Sequence, residues 1–167
     1  MGARQVTGPR TSAYPGSMAT LRLEELSATT ALAANSLTLR SGQDQFVTPP
    51  TYSLADSYTD PTASWPRVVL DGDEVVGFVR GNFAPDDPQE EFRSAVWRVT
   101  VAGERQGRGI GSFAVRALAA EAKSRGFAQI TALWEPGEAG PDRFFRALGF
   151  VVVRETQYGE NFGVLAL

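Results

Sequence analysis

The 167-residue chain contains no histidine and no cysteine. Those two absences remove Ser-His-Asp and Cys-His catalysis, zinc sites built on these ligands, thiol redox chemistry and disulfides together. Any chemistry falls to carboxylates, hydroxyls, backbone amides or a bound cofactor, and no metal is expected. Lysine is nearly missing as well, since Lys123 is the only one. No run approaches the roughly 18 apolar residues of a membrane span, and no apolar signal-type stretch opens the chain. The expectation is a cytoplasmic protein with no membrane and no nucleic-acid partner. What the chain does have is 43% hydrophobic residues at a length usual for one domain, enough for a single core.

The net charge of −3 hides an uneven distribution. Between Gly42 and Glu91 ten acids face only Arg67 and Arg80, whereas from Phe92 to Arg125 seven bases face only Glu104 and Glu121. One segment suits a cation and the other an anion, although such charges also serve simply as solvated surface.

Residues 1–17 are rich in Gly, Pro, Ser and Thr without periodicity and read as a flexible leader or an expression remnant, with Met18 an alternative start and 18–167 a single domain. Alternation predicts a strand over Ala19–Leu26, and helical spacing predicts helices over Ala28–Leu39 and Tyr52–Tyr58, before a Pro/Ser stretch through Pro66. Arg67–Leu70 and Val75–Phe83 are apolar runs joined by Asp71-Gly72-Asp73, a strong hairpin signal. An acidic loop at Ala84–Glu91 leads into a strand at Phe92–Val101, read with Ala95, Trp97, Val99 and Val101 on one face. Ile110–Arg125 is a helix with Ile110, Ala114, Ala117, Leu118 and Ala122 in one stripe and Gly126 as its stop. Ala128–Trp134 is a strand, Asp142–Leu148 a short helix, and Val151–Glu155 with Val164–Leu167 a hairpin.

The most informative segment is Gln106-Gly107-Arg108-Gly109-Ile110-Gly111-Ser112, set between a predicted strand and a predicted helix. A helix N-terminus leaves N–H groups free and carries partial positive charge, and glycine lets a phosphate approach those amides without a Cβ in the way. Arg105 and Arg108 add fixed charge. The bland reading is a tight turn that needs glycine for backbone reasons alone. A P-loop does not fit, because no Lys-Ser or Lys-Thr follows the glycines. The dinucleotide pattern G-x-G-x-x-G nearly fits at Gly107 and Gly109, with Glu135 at a suitable distance for a ribose, but Ser112 stands at its last position and antiparallel hairpins precede the loop.

The segment Val99–Ser112 resembles the acetyl-CoA motif of the GNAT superfamily of N-acetyltransferases, whose loop reads Arg/Gln-x-x-Gly-x-Gly/Ala. Phe144-Phe145-Arg146-Ala147-Leu148-Gly149-Phe150 resembles the same family's F-Y-x-x-L-G-F segment, and the predicted element order is similar across 18–167. Gln45-Phe46-Val47, Tyr52-Ser53-Leu54-Ala55, Val76-Gly77-Phe78 and Trp97-Arg98 look like the bacterial spermine/spermidine branch, although Phe46, Leu54 and Phe78 are also ordinary core residue types.

The resemblance implies an α/β (α+β) fold: a mixed, mostly antiparallel twisted sheet of about seven strands flanked by about four helices, one strand being splayed at the acetyl-CoA site. It implies that the backbone of Val99, Thr100 and Val101 pairs with the pantetheine arm, and that the amides of Gln106, Gly107, Arg108, Gly109, Ile110, Gly111 and Ser112 hold the pyrophosphate. The Val99 N–H would then stabilise a developing oxyanion while an amine, with polyamines leading, attacks the thioester directly. Partners are acetyl-CoA and a small amine, in a monomer or homodimer.

The chain departs from the family where protons move. Phe145 replaces the usual Tyr that protonates the departing thiolate, Glu138 stands where an Asn is common, and Ser94, Ala95 and Val96 fill the strand centre where many relatives hold an acid. Tyr158 or a water could serve as acid; Glu91, at the strand's start, is the candidate base, acting through water. A non-catalytic acyl-CoA-binding module, and more distantly a dinucleotide-dependent oxidoreductase, remain as alternatives.

Overall fold

In the computed structural model, residues 20–46 and 50–167 are described. The predicted leader, Met18 and Val47 lie outside them. The elements run β1 (Leu21–Glu25), α1 (Ala28–Asn35), α2 (Pro50–Thr59), β2 (Ser64–Asp71), β3 (Glu74–Phe83), α3 (Glu90–Arg93), β4 (Ser94–Val101), α4 (Ile110–Ser124), β5 (Gln129–Trp134), α5 (Asp142–Ala147), β6 (Val151–Glu155) and β7 (Asn161–Ala166). One seven-stranded sheet has the order β1-β2-β3-β4-β5-β7-β6. Every pairing is antiparallel except β4 with β5, the one parallel step that the chain makes through α4. Among the described residues no helix is long and apolar enough to cross a membrane.

Each face of the sheet has its own apolar layer. On one, Ile110, Ala114, Val115, Leu118 and Ala122 of α4 pack with Val69, Val76, Val79, Val96, Ile130 and Trp134. The α4 stripe contains Val115 in place of the expected Ala117, and Gly126 ends the helix at φ +88°. On the other face α1 brings Ala34 onto Val68, Leu70 and Phe78. Ser27 opens α1 with a reciprocal capping box to Thr30, and the helix stops at Asn35, four residues short of the predicted end.

Several sequence boundaries move for identifiable reasons. The stretch ending at Pro66 is part of β2, with Pro66 opposite Arg80. Proline is tolerated there because β1 has already ended at Glu25 opposite Arg67, so the missing N–H removes no ladder bond. The acidic loop closes in the helical turn α3, which delays β4 to Ser94. Arg93 Nε donates to the Asp87 carbonyl at 2.6 Å, and the Arg93 carbonyl accepts from the Ala84 amide, binding that turn into a compact corner. The final strand begins earlier than expected, at Asn161.

The anticipated common face of Ala95, Trp97, Val99 and Val101 does not form. The β3–β4 register passes from Arg80 opposite Arg98 to Gly81 opposite Val96, leaving Trp97 as an extra residue. This bulge resets the alternation. Val96, Val99 and Val101 therefore pack on the α4 side, while Trp97 is 42% exposed.

The C-terminal third is held by aromatic stacking and one carboxylate. Phe145 stacks on Trp134 with centroids 4.8 Å apart, and Phe150 meets both rings edge-on. Asp142 accepts from Trp134 Nε1 at 2.8 Å, Arg146 Nε at 2.8 Å and Asn161 Nδ2 at 3.1 Å, so a single side chain joins α5 to β5 and β7. The Arg146 and Trp134 bonds hold its carboxyl below the ordinary value of 3.8. A carboxylate whose folded pKa is depressed adds stability that is present above the unfolded pKa and lost as pH falls through the folded one. Urea unfolding of the wild type and Asp142→Asn will accordingly show a stability difference in favour of the wild type at pH 7 that shrinks below pH 3.8. A difference that stays constant down to about pH 2 would contradict this role.

Candidate functional site

Three features meet at the C-terminal end of β4. The first is the loop that leads into α4. Gly107 and Gly109 both adopt left-handed backbone, at φ +80° and +83°, and a Cβ on either would meet nothing within 4 Å. Residues other than glycine pay roughly 1–2 kcal/mol each in that region, so the pair is a backbone requirement as well as an opening. Among the described residues no side chain caps α4, whose first-turn amides at Ile110, Gly111 and Ser112 follow an exposed Arg108. Ile110 is buried and anchors the turn in the core.

The loop is braced from below. Arg105 does not point to the opening: it pairs with Asp71 at 3.7 Å and with Glu74, tying the loop to the β2–β3 hairpin. Gln106 also turns inward, donating from Nε2 to the Val101 carbonyl at 3.1 Å and to Gln43 Oε1 at 2.7 Å. Arg40 donates to the Gly103 carbonyl at 3.0 Å, and the Gly103 amide donates to Thr38 at 2.7 Å. Those bonds leave the Gly107–Ser112 backbone as the outward-facing part.

The second feature is a gap in the sheet. β4 and β5 pair only at Ala95 with Thr131 and Val96 with Ala132, while β3 follows β4 on to Val101. The bulge at Trp97 lies where the two part. The Ala102 amide donates to the Val76 carbonyl at 3.0 Å. Because amides alternate in direction along a strand, that of Thr100 also faces β3, and those of Val99 and Val101 face the gap. The α4 side of the gap is walled by Phe144, whose ring lies 3.0 Å from where a Gly111 Cβ would stand.

The third feature is a pair of arginines on the opposite face, under α2. Arg80 and Arg98 are direct cross-strand partners. Arg80, 4% exposed, donates to Asp56 Oδ2 at 2.7 Å and to Ser64 Oγ at 3.0 Å, and its guanidinium lies 5.1 Å from the Trp97 ring. Arg98 donates to the fully buried Ser53 Oγ at 3.0 Å. Burial lowers the pKa of both; Asp56 opposes this at Arg80, while the charge of Arg80 adds to it at Arg98.

Residues 32–150 match the acetyltransferase (GNAT) family. The chain belongs to that family. It is 30% identical over 97 residues to the L-2,4-diaminobutyric acid acetyltransferase of Shouchella clausii, covering 58% of this chain; the chain spans about half, 51%, of that relative's length. Its fold is similar to that of an acetyltransferase from Thermus thermophilus, with TM-score 0.70 and 20% identity over 89% of this chain and 97% of the other. It is also similar to a GNAT family acetyltransferase from Brucella melitensis in complex with acetyl-CoA, with TM-score 0.61 and 16% identity over 89% of each chain. The seven-stranded open sheet flanked by helices is the GNAT fold.

Within this GNAT domain the site residues anticipated from sequence fall into two groups. Val99, Thr100, Val101 and the Gln106–Ser112 loop converge on the gap, although the Thr100 side chain is buried and the Gln106 side chain is spent on the Val101 carbonyl and Gln43. Glu91 and Tyr158 do not join them. Glu91 belongs to α3, beyond the paired end of β4, and its carboxylate accepts from Arg154 at 3.0 Å while its carbonyl accepts from Thr131 Oγ1. Tyr158 is 80% exposed in the turn between β6 and β7, its amide bonded to Thr156 Oγ1. Phe145 lies in the aromatic core, and it is Phe144 that reaches the gap. Glu138 is exposed in the loop before α5.

The sequence reading passed over Asp56, Ser53 and the Arg80–Arg98 pair. The signal was available in outline: Arg80 interrupts the apolar run Val75–Phe83, and a charge inside a buried strand needs a partner. Asp56 supplies it. Asp56→Ala would leave that buried guanidinium facing a second one; because Asp56 itself is half exposed, the expected loss is at the lower end of a broken buried pair, about 2–3 kcal/mol in urea unfolding. A loss below about 0.5 kcal/mol would show that solvent replaces the carboxylate.

Proposed function

We propose that this chain is an acetyl-CoA-dependent N-acetyltransferase that passes the acetyl group directly to a primary amine of a small molecule. The observation that carries the reading is the convergence of an uncapped, glycine-lined helix N-terminus with a strand whose amides face an open gap. The first suits a pyrophosphate, since the dipole and free N–H groups of α4 favour anions and no Cβ obstructs them. The second suits an amide-bearing arm that adds to β4 where β5 has departed. Acetyl-CoA has both groups, and the Brucella protein of the same fold holds it.

With acetyl-CoA as cosubstrate, the Val99 N–H is the gap-facing donor nearest the bulge and would polarise the thioester carbonyl. The acceptor must arrive unprotonated, because an alkylammonium, with a pKa near about 10.4, has no lone pair to attack with. Glu91 is held by Arg154 and the chain has no histidine, so solvent in the gap takes that proton. A thiol of pKa about 8.5 leaves as thiolate without help from Tyr158 or from the phenyl ring of Phe145. Lacking cysteine, the protein has no thiol on which to store the acetyl group, and both substrates must be bound together.

For the acceptor, the sequence resemblance favours polyamines, whereas the named relative acts on a diamino acid. Both are small aliphatic amines, and that is the class proposed. An acyl-CoA-binding module without activity is the second reading, favoured by Phe145 at the position of the usual Tyr.

Acetyl-CoA at about 100 times its dissociation constant should add about 2.7 kcal/mol of thermal stability, and NAD(H) should add none. Gly109→Asp has room for its side chain, so it should fold after a strain cost of about 1–2 kcal/mol, and its carboxylate should abolish the acetyl-CoA shift. A retained shift would refute the loop assignment. In a second measurement, CoA release should rise above background hydrolysis for at least one among polyamines, amino acids, aminoglycosides and peptide N-termini. Release with none of them would remove the enzyme and leave the binding module.

A further inference from the structure

Val101 is the last residue of β4, and both of its backbone groups turn away from β3. The next amide along, that of Ala102, bonds to Val76 of β3 at 3.0 Å. Amides alternate in direction along a strand, and the N–H and C=O of one strand residue point to the same side, so the Val101 carbonyl opens on the gap together with its amide. The same holds two residues earlier at Val99. The Val101 carbonyl is already covered: Gln106 Nε2 donates to it at 3.1 Å. A carbonyl can only accept, and this fixes which end of the Gln106 amide is the nitrogen.

Gln106 does not hold that position alone. Its Nε2 also donates to Gln43 Oε1 at 2.7 Å, and Gln43 Nε2 donates back to Gln106 Oε1 at 3.2 Å, a reciprocal amide pair. Gln43 is in turn set by its own backbone. Its amide donates to the Arg40 carbonyl at 3.0 Å, and its Oε1 accepts from the Arg40 amide at 3.1 Å. That turn sits hard against the end of β4, since a Cβ at Gly103 would stand 2.8 Å from the Arg40 nitrogen. A side chain sixty-three residues away in sequence thus orients the one that covers the Val101 carbonyl.

We infer that Gln43 is a positioning residue for the cosubstrate: by keeping Gln106 on the Val101 carbonyl, it fixes the register in which the arm of acetyl-CoA pairs with β4. The inference rests on the transferase reading above. With that carbonyl covered, the gap edge beyond the bulge offers the arm the Val99 N–H, the Val99 carbonyl and the Val101 N–H, and only one of these can accept. An arm N–H therefore goes to the Val99 carbonyl, and the thioester lies within reach of the Val99 amide. An uncovered Val101 carbonyl would take the same N–H two residues further along, roughly 6.6 Å toward the loop. The thioester would then miss the Val99 amide. Each register makes the same number of bonds, so the cover on Val101 decides where the acetyl group stands rather than how tightly the cosubstrate binds.

Acetyl-CoA labelled with 13C at the thioester carbonyl tests it without an acceptor. Bound to the wild type, the carbonyl signal should lie downfield of the free thioester, because the Val99 amide polarises it. In Gln43→Leu, which keeps the bulk of the side chain without its hydrogen bonds, the signal should return about halfway to the free value, the share lost when two registers of equal energy compete. Calorimetric affinities for acetyl-CoA and for 3′-phosphoadenosine 5′-diphosphate, which has the phosphates without the arm, should both stay within about threefold of the wild type. Gln43→Glu retains both accepted bonds and should restore the shift. Should Gln43→Leu not fold, Gln106→Met uncovers the carbonyl from the other side of the pair and should move the signal in the same way. An unchanged signal in a folded variant, or a parallel loss of both ligands, would overturn the inference, the second result showing that the pair merely orders the loop. If the wild type binds the diphosphate no less tightly than acetyl-CoA, the transferase reading falls and the inference with it; if it prefers acetyl-CoA and the variants keep the wild-type signal, the inference alone falls.

Discussion

One extra residue in one strand organises this molecule. Trp97 has no counterpart in β3, and the consequences radiate from there. A bulge bends and twists its strand, and β4 leaves β5 immediately after Val96. The bend leaves the Val99 and Val101 amides without a strand partner across the gap. It also resets the side-chain phase, so that Val99 and Val101 still reach the α4 core while Trp97 and Arg98 both fall on the α2 face. Without the bulge, alternation from Val96 would place Arg98 and Thr100 against α4. The aperture, the exposed amides and the guanidinium beside them thus have one cause.

An opening in a sheet is costly unless its edges are stiffened, and the surrounding bonds do that. Gln106 satisfies the Val101 carbonyl and is itself held by Gln43. Arg105 ties the base of the loop to Asp71 and Glu74, and Arg40 with Thr38 ties Gly103 to the segment after α1. Side chains that resemble phosphate ligands in the sequence thus act as braces. The positive potential at the mouth of the loop comes from the α4 dipole, its first-turn amides and Arg108. On the proposed function, a backbone braced in this way would lower the ordering cost of receiving an anion.

How much of this was legible in the sequence depends on the range of the interaction. The glycine loop, the α4 stripe and the Asp71-Gly72-Asp73 hairpin are local patterns, and all three stand close to their expected positions. The parallel β4–α4–β5 step followed from a strand, a loop and a helix in succession. The bulge did not, because the apolar alternation of Ala95, Trp97, Val99 and Val101 is compatible with a regular strand and only the register against β3 breaks it. The role of Pro66 was hidden for a similar reason: its tolerance depends on where β1 ends. Glu91 was attractive as a carboxylate near β4, and its pairing is with Arg154, sixty-three residues away in sequence. Pairings at that separation leave no local trace.

The replacement of the family's Tyr by Phe145 looks different once its surroundings are known. Phe145 is 5% exposed, stacked on Trp134 and bracketed by Phe144 and Phe150. A tyrosine hydroxyl placed among those rings would have to find a hydrogen-bond partner or bear a desolvation cost of a few kcal/mol. The carboxylate that bonds to Trp134, Asp142, already accepts from three donors. Phenylalanine is therefore the residue that this core accommodates, and the ring contributes to the stability of the β5–α5 junction rather than to proton transfer. That assigns the acid–base burden to solvent on both sides of the reaction. On the proposed function it also gives a route for a chain without histidine: the amine would be selected in its neutral form, the thiolate would leave on its own acidity, and the protein would supply orientation and the Val99 amide. Under such a division of labour the rate should follow the neutral fraction of the amine, rising with pH well past about 7 rather than levelling at the pKa of any side chain near the gap.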